Sequence, residues 1–317
     1  MTSTWQARKV VIVGAGSVGS SFAYALAQSS VANEIILMDA NKDLAEGQVL
    51  DMAHGLPYYP PVEIRSGTQD DFADASVIVI TAGAKQNPGE SRLNLLQRNA
   101  SIVSSIMDEI NGQNSQATIV IATNPVDIIT HVALKRSGWP ARRVIGSGTV
   151  LDSARFRYLI STHFHVDVGN VHAYILGEHG DSEVPAWSMT HVAGVDIDQY
   201  AEKYGTEDWP AVRERIAREV KESAYHIISY KGATYYAIGM ALVRIVGAIL
   251  QDQQSVLTVS TLLSGEYGIS NVCLSIPCIL GHGGVQRTVE ASLTEEELQA
   301  LKGSAIILQE ALKNLNV

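Results

Sequence analysis

Short runs of apolar, mostly β-branched residues recur through the first 148 residues of the chain. Each run is followed by a turn and then by a segment whose apolar positions repeat with helical spacing. Apolar runs of this length, bounded by turn residues, are typical of buried strands. The predicted strands are Lys9 to Val13, Glu34 to Met38, Val62 to Ser66, Val77 to Thr81, Thr118 to Ala122 and Arg143 to Ile145.

The apolar character of these strands is nearly continuous rather than alternating. Strands of this kind are buried on both faces, so helices must cover both sides of the sheet. Helical periodicity at Val18 to Ala27 and at Leu93 to Ile110 supplies such helices. The pattern therefore predicts an α/β fold, with a doubly wound parallel sheet of the Rossmann type, and a first domain over residues 1–148.

The pattern changes after Ser147. A helix is predicted from Leu151 to Phe164, strands around Asn170 to Leu176, and long helices after them. One of these helices carries an apolar stripe, and a later one begins at a capping box formed by Thr294 and Glu297. Residues 149–317 are therefore predicted to form a second domain of α+β type. The stripe consists of Val212, Ile216, Val220, Ala224 and Ile228.

Composition and charge limit the possible partners. Of the 317 residues 46% are hydrophobic and 18% are charged, which is the balance of a folded globular protein. The net charge of −10 argues against nucleic acid or an anionic membrane as a partner, since both need a cationic face. The longest apolar segment, Met240 to Leu250, has 11 residues and includes Arg244, too short for a membrane helix. Without a signal peptide, and with Cys273 and Cys278 read as buried thiols, we expect a cytoplasmic protein.

A glycine motif predicts a dinucleotide site. Gly14, Gly16 and Gly19 form a GxGxxG run that follows the first strand and opens a helix, and Asp39 ends the next strand 20 residues beyond Gly19. The helix start offers free N–H groups to a pyrophosphate, and Asp39 would bind ribose hydroxyls and repel a 2′-phosphate. The motif thus predicts NAD rather than NADP, although a glycine turn without a ligand remains the alternative. The cofactor would extend over two loops that follow strands, Thr81 to Gly83 and Thr123 to Pro125.

Three further residues are candidates for chemistry on a hydroxy acid or keto acid. Asp152 and Arg155 are three residues apart in a predicted helix, so they share one face, and Arg155 can hold a carboxylate at two points. His179 lies in a glycine-flanked turn, and a neighbouring carboxylate such as Asp152 would raise its pKa. Spacing alone leaves open a plain helical salt bridge and a plain loop histidine.

These motifs together resemble the lactate and malate dehydrogenase family, and within it the bacterial L-lactate dehydrogenases. The resemblance runs from about Lys9 to Leu312 and includes five ordered segments. They are Gly14 to Gly19, Ala82 to Arg98, Thr123 to Asp127, Gly146 to Arg157 and Asn170 to Glu183.

The resemblance implies a role for each site residue. His179 would be the acid/base group, Asp152 would orient it, and Arg155 would bind the substrate carboxylate. Asn124 would hydrogen-bond the substrate oxygen and border the cofactor, and Arg92, on a mobile lid, would polarise the carbonyl. Thr234 would line the far side of the pocket. The implied cofactor residues are Gly14, Gly16, Val18, Gly19, Asp39, Gly83 and Asn124.

Gln86 is the residue that bears on substrate choice. In this family its position on the lid is commonly Gln in lactate dehydrogenases and Arg in malate dehydrogenases. A neutral amide favours the methyl group of pyruvate over the second carboxylate of oxaloacetate, although the neighbouring Lys85 could reach in. The resemblance therefore implies pyruvate and L-lactate as substrates, with a malate or other 2-hydroxy acid dehydrogenase as the alternative. A non-catalytic dinucleotide-binding protein would not need Asp152, Arg155, His179 and Arg92 together.

A regulatory site is also implied. In bacterial members activated by fructose 1,6-bisphosphate, an Arg and a His at the positions of Arg157 and His172 bind its phosphates across a subunit interface. The resemblance thus implies this activator and a homotetramer, with an interface Arg and His as the alternative. No metal is expected, because His163 and His165 have no third ligand near them in sequence and are predicted to lie at the surface.

Overall fold

Alternating strands and helices build the first half of the protein. The computed structural model describes residues 8–85, 89–205 and 207–315, without the side chain of Arg92. All six predicted strands are present, with bounds within one residue of those expected, because buried β-branched runs strongly favour strands. The elements are β1 (Lys9–Val13), α1 (Ser17–Gln28), β2 (Glu34–Met38), α2 (Lys42–Ala53), β3 (Glu63–Ser66), β4 (Val77–Ile80), α3 (Arg92–Gly112), β5 (Thr118–Ile121), α4 (Val126–Ser137) and β6 (Val144–Gly146).

The six strands form a parallel sheet in the order β3-β2-β1-β4-β5-β6. Strand β1 lies in the middle, with Val10 paired to Ile35 on one side and to Val77 on the other. All five of its residues are buried, as a strand covered on both faces requires. The strand order changes direction between β1 and β4, so their carboxyl ends form a crevice that can hold a ligand.

The second half mixes strands of 2 to 12 residues with helices of 8 to 23 residues, as expected for an α+β region. Thr294 and Glu297 form the predicted capping box at the start of the last helix. The elements are α5 (Val150–Phe164), β7 (Val171–His172), β8 (Ile175–Leu176), β9 (Val184–Pro185), β10 (His191–Val192), β11 (Val195–Asp196), α6 (Ile197–Tyr204), α7 (Trp209–Lys231), α8 (Tyr236–Leu250), β12 (Ser255–Ser264), β13 (Ser270–Gly281), β14 (Gly284–Thr288) and α9 (Glu295–Lys313).

Three antiparallel strands extend the parallel sheet. β12 joins its edge where Ser260 pairs with Gly146 of β6, and β13 and β14 follow, which gives nine strands in one sheet. The sequence patterns did not predict this extension. Cys273 and Cys278 lie in β13 as buried free thiols, as expected.

The apolar side chains form two cores. The larger core packs around the nine-stranded sheet, and the smaller one lies under α7, where Val212, Ile216 and Val220 are buried. The apolar stripe on α7 is not buried along its whole length. Its last residue, Ile228, is 46% exposed. His163 packs against Phe164 beside the smaller core, with only 11% of its side chain exposed, whereas His165 is exposed, so the predicted surface position is wrong for His163 and confirmed for His165. In the described part of the chain, no helix is long and apolar enough to cross a membrane.

Candidate active site

The glycine loop between β1 and α1 leaves room for a ligand. Gly14 has a φ of +115°, and a Cβ there would lie 2.6 Å from the backbone nitrogen of Ala82. A Cβ at Gly19 would overlap the carbonyl oxygen of Gly14, whereas a Cβ at Gly16 would meet nothing within 4 Å. No side chain among the described residues caps the N-terminus of α1, so its first backbone N–H groups remain available as donors. The loop therefore fits a pyrophosphate, which needs close backbone approach and free donors.

A cavity of about 870 Å³ opens beside this loop. Its lining includes four of the predicted cofactor residues, Gly14, Gly16, Asp39 and Gly83. Val18, Gly19 and Asn124 are not part of the lining in the described structure.

Asp39 is held in place at the edge of this cavity. Its Oδ2 accepts a hydrogen bond from the backbone N–H of Ala15 at 2.7 Å, and its Oδ1 accepts one from Asn41 at 2.9 Å. Asp70 and Glu109 also line the cavity, and Lys42 is the one basic side chain among its described lining residues. This excess of carboxylates disfavours the extra phosphate of NADP and suits the diol of NAD.

Asn99 on α3 links the two loops that follow β4 and β5. Its Oδ1 accepts from the N–H of Ala84 at 2.8 Å, and its Nδ2 donates to the carbonyl of Asn124 at 2.9 Å. Asn99 is buried, with 4% of the residue exposed. The sequence analysis missed this residue, although a polar side chain between Leu96 and Val103 on the buried face of α3 is a recognisable signal.

Asp152, Arg155 and His179 come together as the sequence analysis expected. Asp152 lies in the first turn of α5, and its Oδ1 accepts from Nη1 of Arg155 at 2.7 Å. His179 lies in the loop between β8 and β9, and its Nδ1 is 2.5 Å from Oδ2 of Asp152. The exposed fractions of the Asp152, Arg155 and His179 side chains are 2%, 12% and 25%. The carboxylate is thus fully enclosed, while the imidazole reaches the surface of the site.

Burial and pairing shift the pKa values of this cluster. Burial opposes the charge of His179, but Asp152 outweighs burial and raises the pKa of His179 to about 9. Burial also opposes ionisation of Asp152, but His179 and then Arg155 hold the pKa of that carboxyl below its ordinary value. At neutral pH the ligand-free site therefore contains an imidazolium beside a carboxylate.

The backbone of His179 is tied to the first half of the chain. Its N–H donates to Oδ2 of Asp127 at 2.8 Å, and Asp127 lies in the first turn of α4, three residues after Asn124. Burial raises the pKa of Asp127 to about 6. Asp127 ends the motif Thr123 to Asp127, and the sequence alone predicts no role for it.

Helix α9 also supports the loop that carries His179. The hydroxyl of Ser304 accepts from the N–H of Glu178 at 2.8 Å and lies 2.9 Å from the hydroxyl of Ser182. The imidazole is therefore presented from a segment fixed on two sides.

The remaining predicted substrate residues are Gln86, Arg92, Asn124 and Thr234. Arg92 is the first residue of α3, and Ser91 caps this helix, while Gln86 lies outside the described residues. Asn124 is exposed in its loop and precedes a cis peptide bond to Pro125. Thr234 is half-buried between α7 and α8 and takes no part in the hydrogen bonds that join Asp152, Arg155 and His179.

A second cavity, of about 600 Å³, lies on the other side of α5. Arg157 and His172 both line it, so the structure brings these two predicted residues together, and Arg244 of α8 adds another cation. Arg157 donates to the carbonyl oxygens of Val171 at 2.8 Å and Val168 at 3.1 Å. Arg157 lines this cavity and Arg155 does not, so the two side chains leave α5 in different directions, as their spacing on the helix predicts. The described residues contain no cluster of three or more potential metal ligands.

Comparison with known proteins identifies relatives over nearly the whole chain. Residues 8–146 match the family model for the lactate/malate dehydrogenase NAD binding domain, and residues 149–316 match the model for its alpha/beta C-terminal domain. An L-lactate dehydrogenase of Treponema denticola is 54% identical over 310 residues, with 98% of each chain covered. One from Acetivibrio thermocellus is 48% identical at the same coverage. The crystal structure of the minor L-lactate dehydrogenase of Enterococcus mundtii in its ligand-bound form superposes with a TM-score of 0.96 at 43% identity, covering 98% of this chain and 99% of that one.

Proposed function

The chain belongs to the lactate/malate dehydrogenase family, and on this basis we propose that it is an NAD-dependent L-lactate dehydrogenase that interconverts pyruvate and L-lactate. The observation that carries the proposal is the buried Asp152 with Arg155 and His179 on its two oxygens. Such a cluster offers a cation for a carboxylate and a proton donor for an oxygen in one place. When bound, NADH supplies the hydride that reduces the C2 carbon of pyruvate.

The residues of the cluster divide the remaining work. Arg155 would hold the pyruvate carboxylate, since Asp152 fixes one of its nitrogens and the planar guanidinium has further N–H donors. His179 donates a proton to the carbonyl oxygen during reduction and accepts it back during oxidation. Asp152 orients the imidazole through Nδ1 and stabilises its charged form. Asn124, in the loop that Asn99 fixes, hydrogen-bonds the same substrate oxygen.

Arg92 and Gln86 complete the proposal through the family resemblance. Arg92 would polarise the substrate carbonyl when the segment before α3 closes over it. Gln86 would favour pyruvate over oxaloacetate because its amide carries no charge to pair with a second carboxylate. We retain the division into a cofactor domain of residues 1–148 and a substrate domain of residues 149–317 as part of this proposal.

Steady-state kinetics on pyruvate and oxaloacetate test the activity and the choice of substrate. Wild type should prefer pyruvate. Gln86→Arg should raise kcat/KM for oxaloacetate relative to pyruvate by about 100-fold, since a hydrogen bond between charged groups contributes about 1.5–3 kcal/mol. An unchanged ratio in the variant would remove Gln86 from substrate selection, and a wild-type preference for oxaloacetate would make the enzyme a malate dehydrogenase.

We further propose that fructose 1,6-bisphosphate activates the enzyme at the cavity of Arg157 and His172. The cations that line this cavity support the proposal, because a sugar bisphosphate needs clustered positive charge in an otherwise acidic protein. Pyruvate titrations at neutral pH and low protein concentration, with and without the bisphosphate, test it. The expected result is a lower half-saturating pyruvate concentration with the activator, and the change should be absent in Arg157→Gln. Superimposable wild-type curves would reject the activation.

The same proposal includes a homotetramer located in the cytoplasm. The exposed end of the apolar stripe on α7 supports assembly, since Ile228 and the nearby Tyr225 and Tyr230 are 46%, 53% and 86% exposed. Light scattering at several protein concentrations, with and without the bisphosphate, measures the assembly. A monomer under all these conditions would contradict the tetramer.

A further inference from the structure

Glu183 is a buried acid to which the proposed reaction assigns no role. It lies in the same loop as His179, directly before β9, and is 5% exposed. Its Oε1 is buried and has no hydrogen-bond partner among the described residues. Since burying an ionised carboxylate without a partner is strongly unfavourable, this side chain is expected to take up a proton instead.

Charged groups from three elements act electrostatically on this carboxyl. They are Asp152 and Arg155 of α5, Lys221 of α7, and His179 of its own loop. Burial, and after it the negative charge of Asp152, raise the pKa of Glu183 to about 8, against the opposing effect of the three cations. Glu183 is therefore protonated at neutral pH and begins to ionise in the range in which His179 loses its proton.

We propose that Glu183 is a positioning residue whose ionisation keeps the proton on His179 as the pH rises. The inference rests on the proposed role of His179 as the acid/base group. Once Glu183 releases its proton to solvent, its negative charge favours the imidazolium and extends the pH range in which His179 can protonate pyruvate. A carboxylate that was already ionised at neutral pH would not serve in this way. Its negative charge would weaken the attraction between Arg155 and the substrate carboxylate.

The direct test follows the His179 imidazole by NMR in the ligand-free protein, with ¹³C-labelled histidine and His179→Asn to assign the signal. In Glu183→Gln the midpoint of the His179 titration should fall by roughly 0.5 unit or more, because the ionisable neighbour is gone. Glu310→Gln, an exposed change on α9, is the matched control and should leave the midpoint unchanged. An unmoved midpoint in folded Glu183→Gln overturns the inference.

The pH profile of kcat/KM distinguishes the proposed coupling from a purely structural role of Glu183. The alkaline fall of kcat/KM for pyruvate should shift to lower pH in Glu183→Gln by the same amount, and Glu183→Asp should restore part of the shift. An equal loss at every pH would assign Glu183 a structural role only. Should Glu183→Gln not fold, ¹³C-labelled glutamate in wild type decides the matter, since the absence of any carboxyl that titrates above about pH 6 would refute the coupling.

These outcomes are distinct from a failure of the proposed function. The NMR titration needs no turnover, so it tests the coupling whatever the substrate is. Retained pyruvate reduction in His179→Asn would instead overturn the role of His179 itself.

Discussion

At the scale of single residues, the interaction between Asp152 and His179 is the contact on which the proposed chemistry depends most. We expect Asp152→Asn to lower the pKa of His179, because the charge that opposes the effect of burial is lost. Pyruvate reduction at neutral pH should fall by roughly 10²- to 10⁴-fold, with partial recovery at lower pH where the imidazole regains its proton. Rates from pH 5 to 9 measure this, and a uniform loss at every pH would contradict it.

Arg155 tests whether charge alone is enough to bind the substrate. Arg155→Lys keeps the charge but loses the planar fork, of which one arm already contacts Asp152. The KM for pyruvate should rise by about 10- to 100-fold, because a hydrogen bond to a carboxylate is lost, while the Kd of NADH stays unchanged. An unaltered KM would show that another residue binds the carboxylate.

The sequence predicted these residues unequally. The three-residue spacing of Asp152 and Arg155 places both side chains on one face of a helix, and the structure confirms their contact. Asp152 and His179 are 27 positions apart and share no local pattern, so Asp152 was a candidate partner of His179 by residue type, and the resemblance implied the pairing. Asp127 and Glu183 went unassigned because their burial arises from tertiary contacts, whereas Asn99 could have been found from its place on the apolar face of α3.

At the scale of secondary-structure elements, the start of α1 offers a matched pair of glycine changes. Gly16→Ala should fold normally, because its φ of −69° suits alanine and the added Cβ meets no protein atom. Its methyl would project into the cofactor cavity and should raise the Kd of NADH by roughly 10-fold or more. Gly19→Ala should instead lower the thermal midpoint, since its Cβ would overlap Gly14. NADH fluorescence titration and thermal unfolding separate the two effects, and similar behaviour of both variants would contradict this account.

Helix α3 contributes to the site through Asn99. Asn99→Ala leaves the N–H of Ala84 without its acceptor and should destabilise the protein by about 1–3 kcal/mol while weakening NADH binding. Denaturant unfolding and NADH titration measure the two effects. Asn94→Ala, an exposed change on the same helix, is the control, and equal effects of the two substitutions would argue against a special role for Asn99.

Strands that are apolar and buried on both faces were predictable from the sequence. Strands whose polar residues are buried by neighbouring elements were not. Strands β1, β4 and β5 are apolar except for Lys9 and Thr118 at the starts of β1 and β5, so their type and bounds follow from the sequence. Strand β12 mixes Ser and Thr with Val and Leu, and several of these polar residues are buried against β6, β13 and α5. Its polar composition hid its burial, and the sheet extension was therefore missed.

At the scale of the whole molecule, the paired charges of the site predict how stability depends on pH. The pKa of His179 is raised in the folded state, so its contribution is complete below its unfolded value near 6.5 and disappears as the pH rises through about 9. Over that range wild type should lose about 1–3 kcal/mol more stability than His179→Asn. Denaturant unfolding at pH 6.5 and 9 measures this, and parallel losses would contradict it.

The hydrogen bond between the His179 amide and Asp127 has a mechanical consequence. The imidazole is fastened to α5 and the adjoining main chain to α4, so one residue spans the two regions that match separate family models. Because β12 of the second region also pairs with β6 of the first, sliding of one region against the other would disturb this sheet pairing and strain the hydrogen bond at His179 together. The exchange rate of this single amide with deuterated solvent would therefore report how rigidly the two regions are coupled.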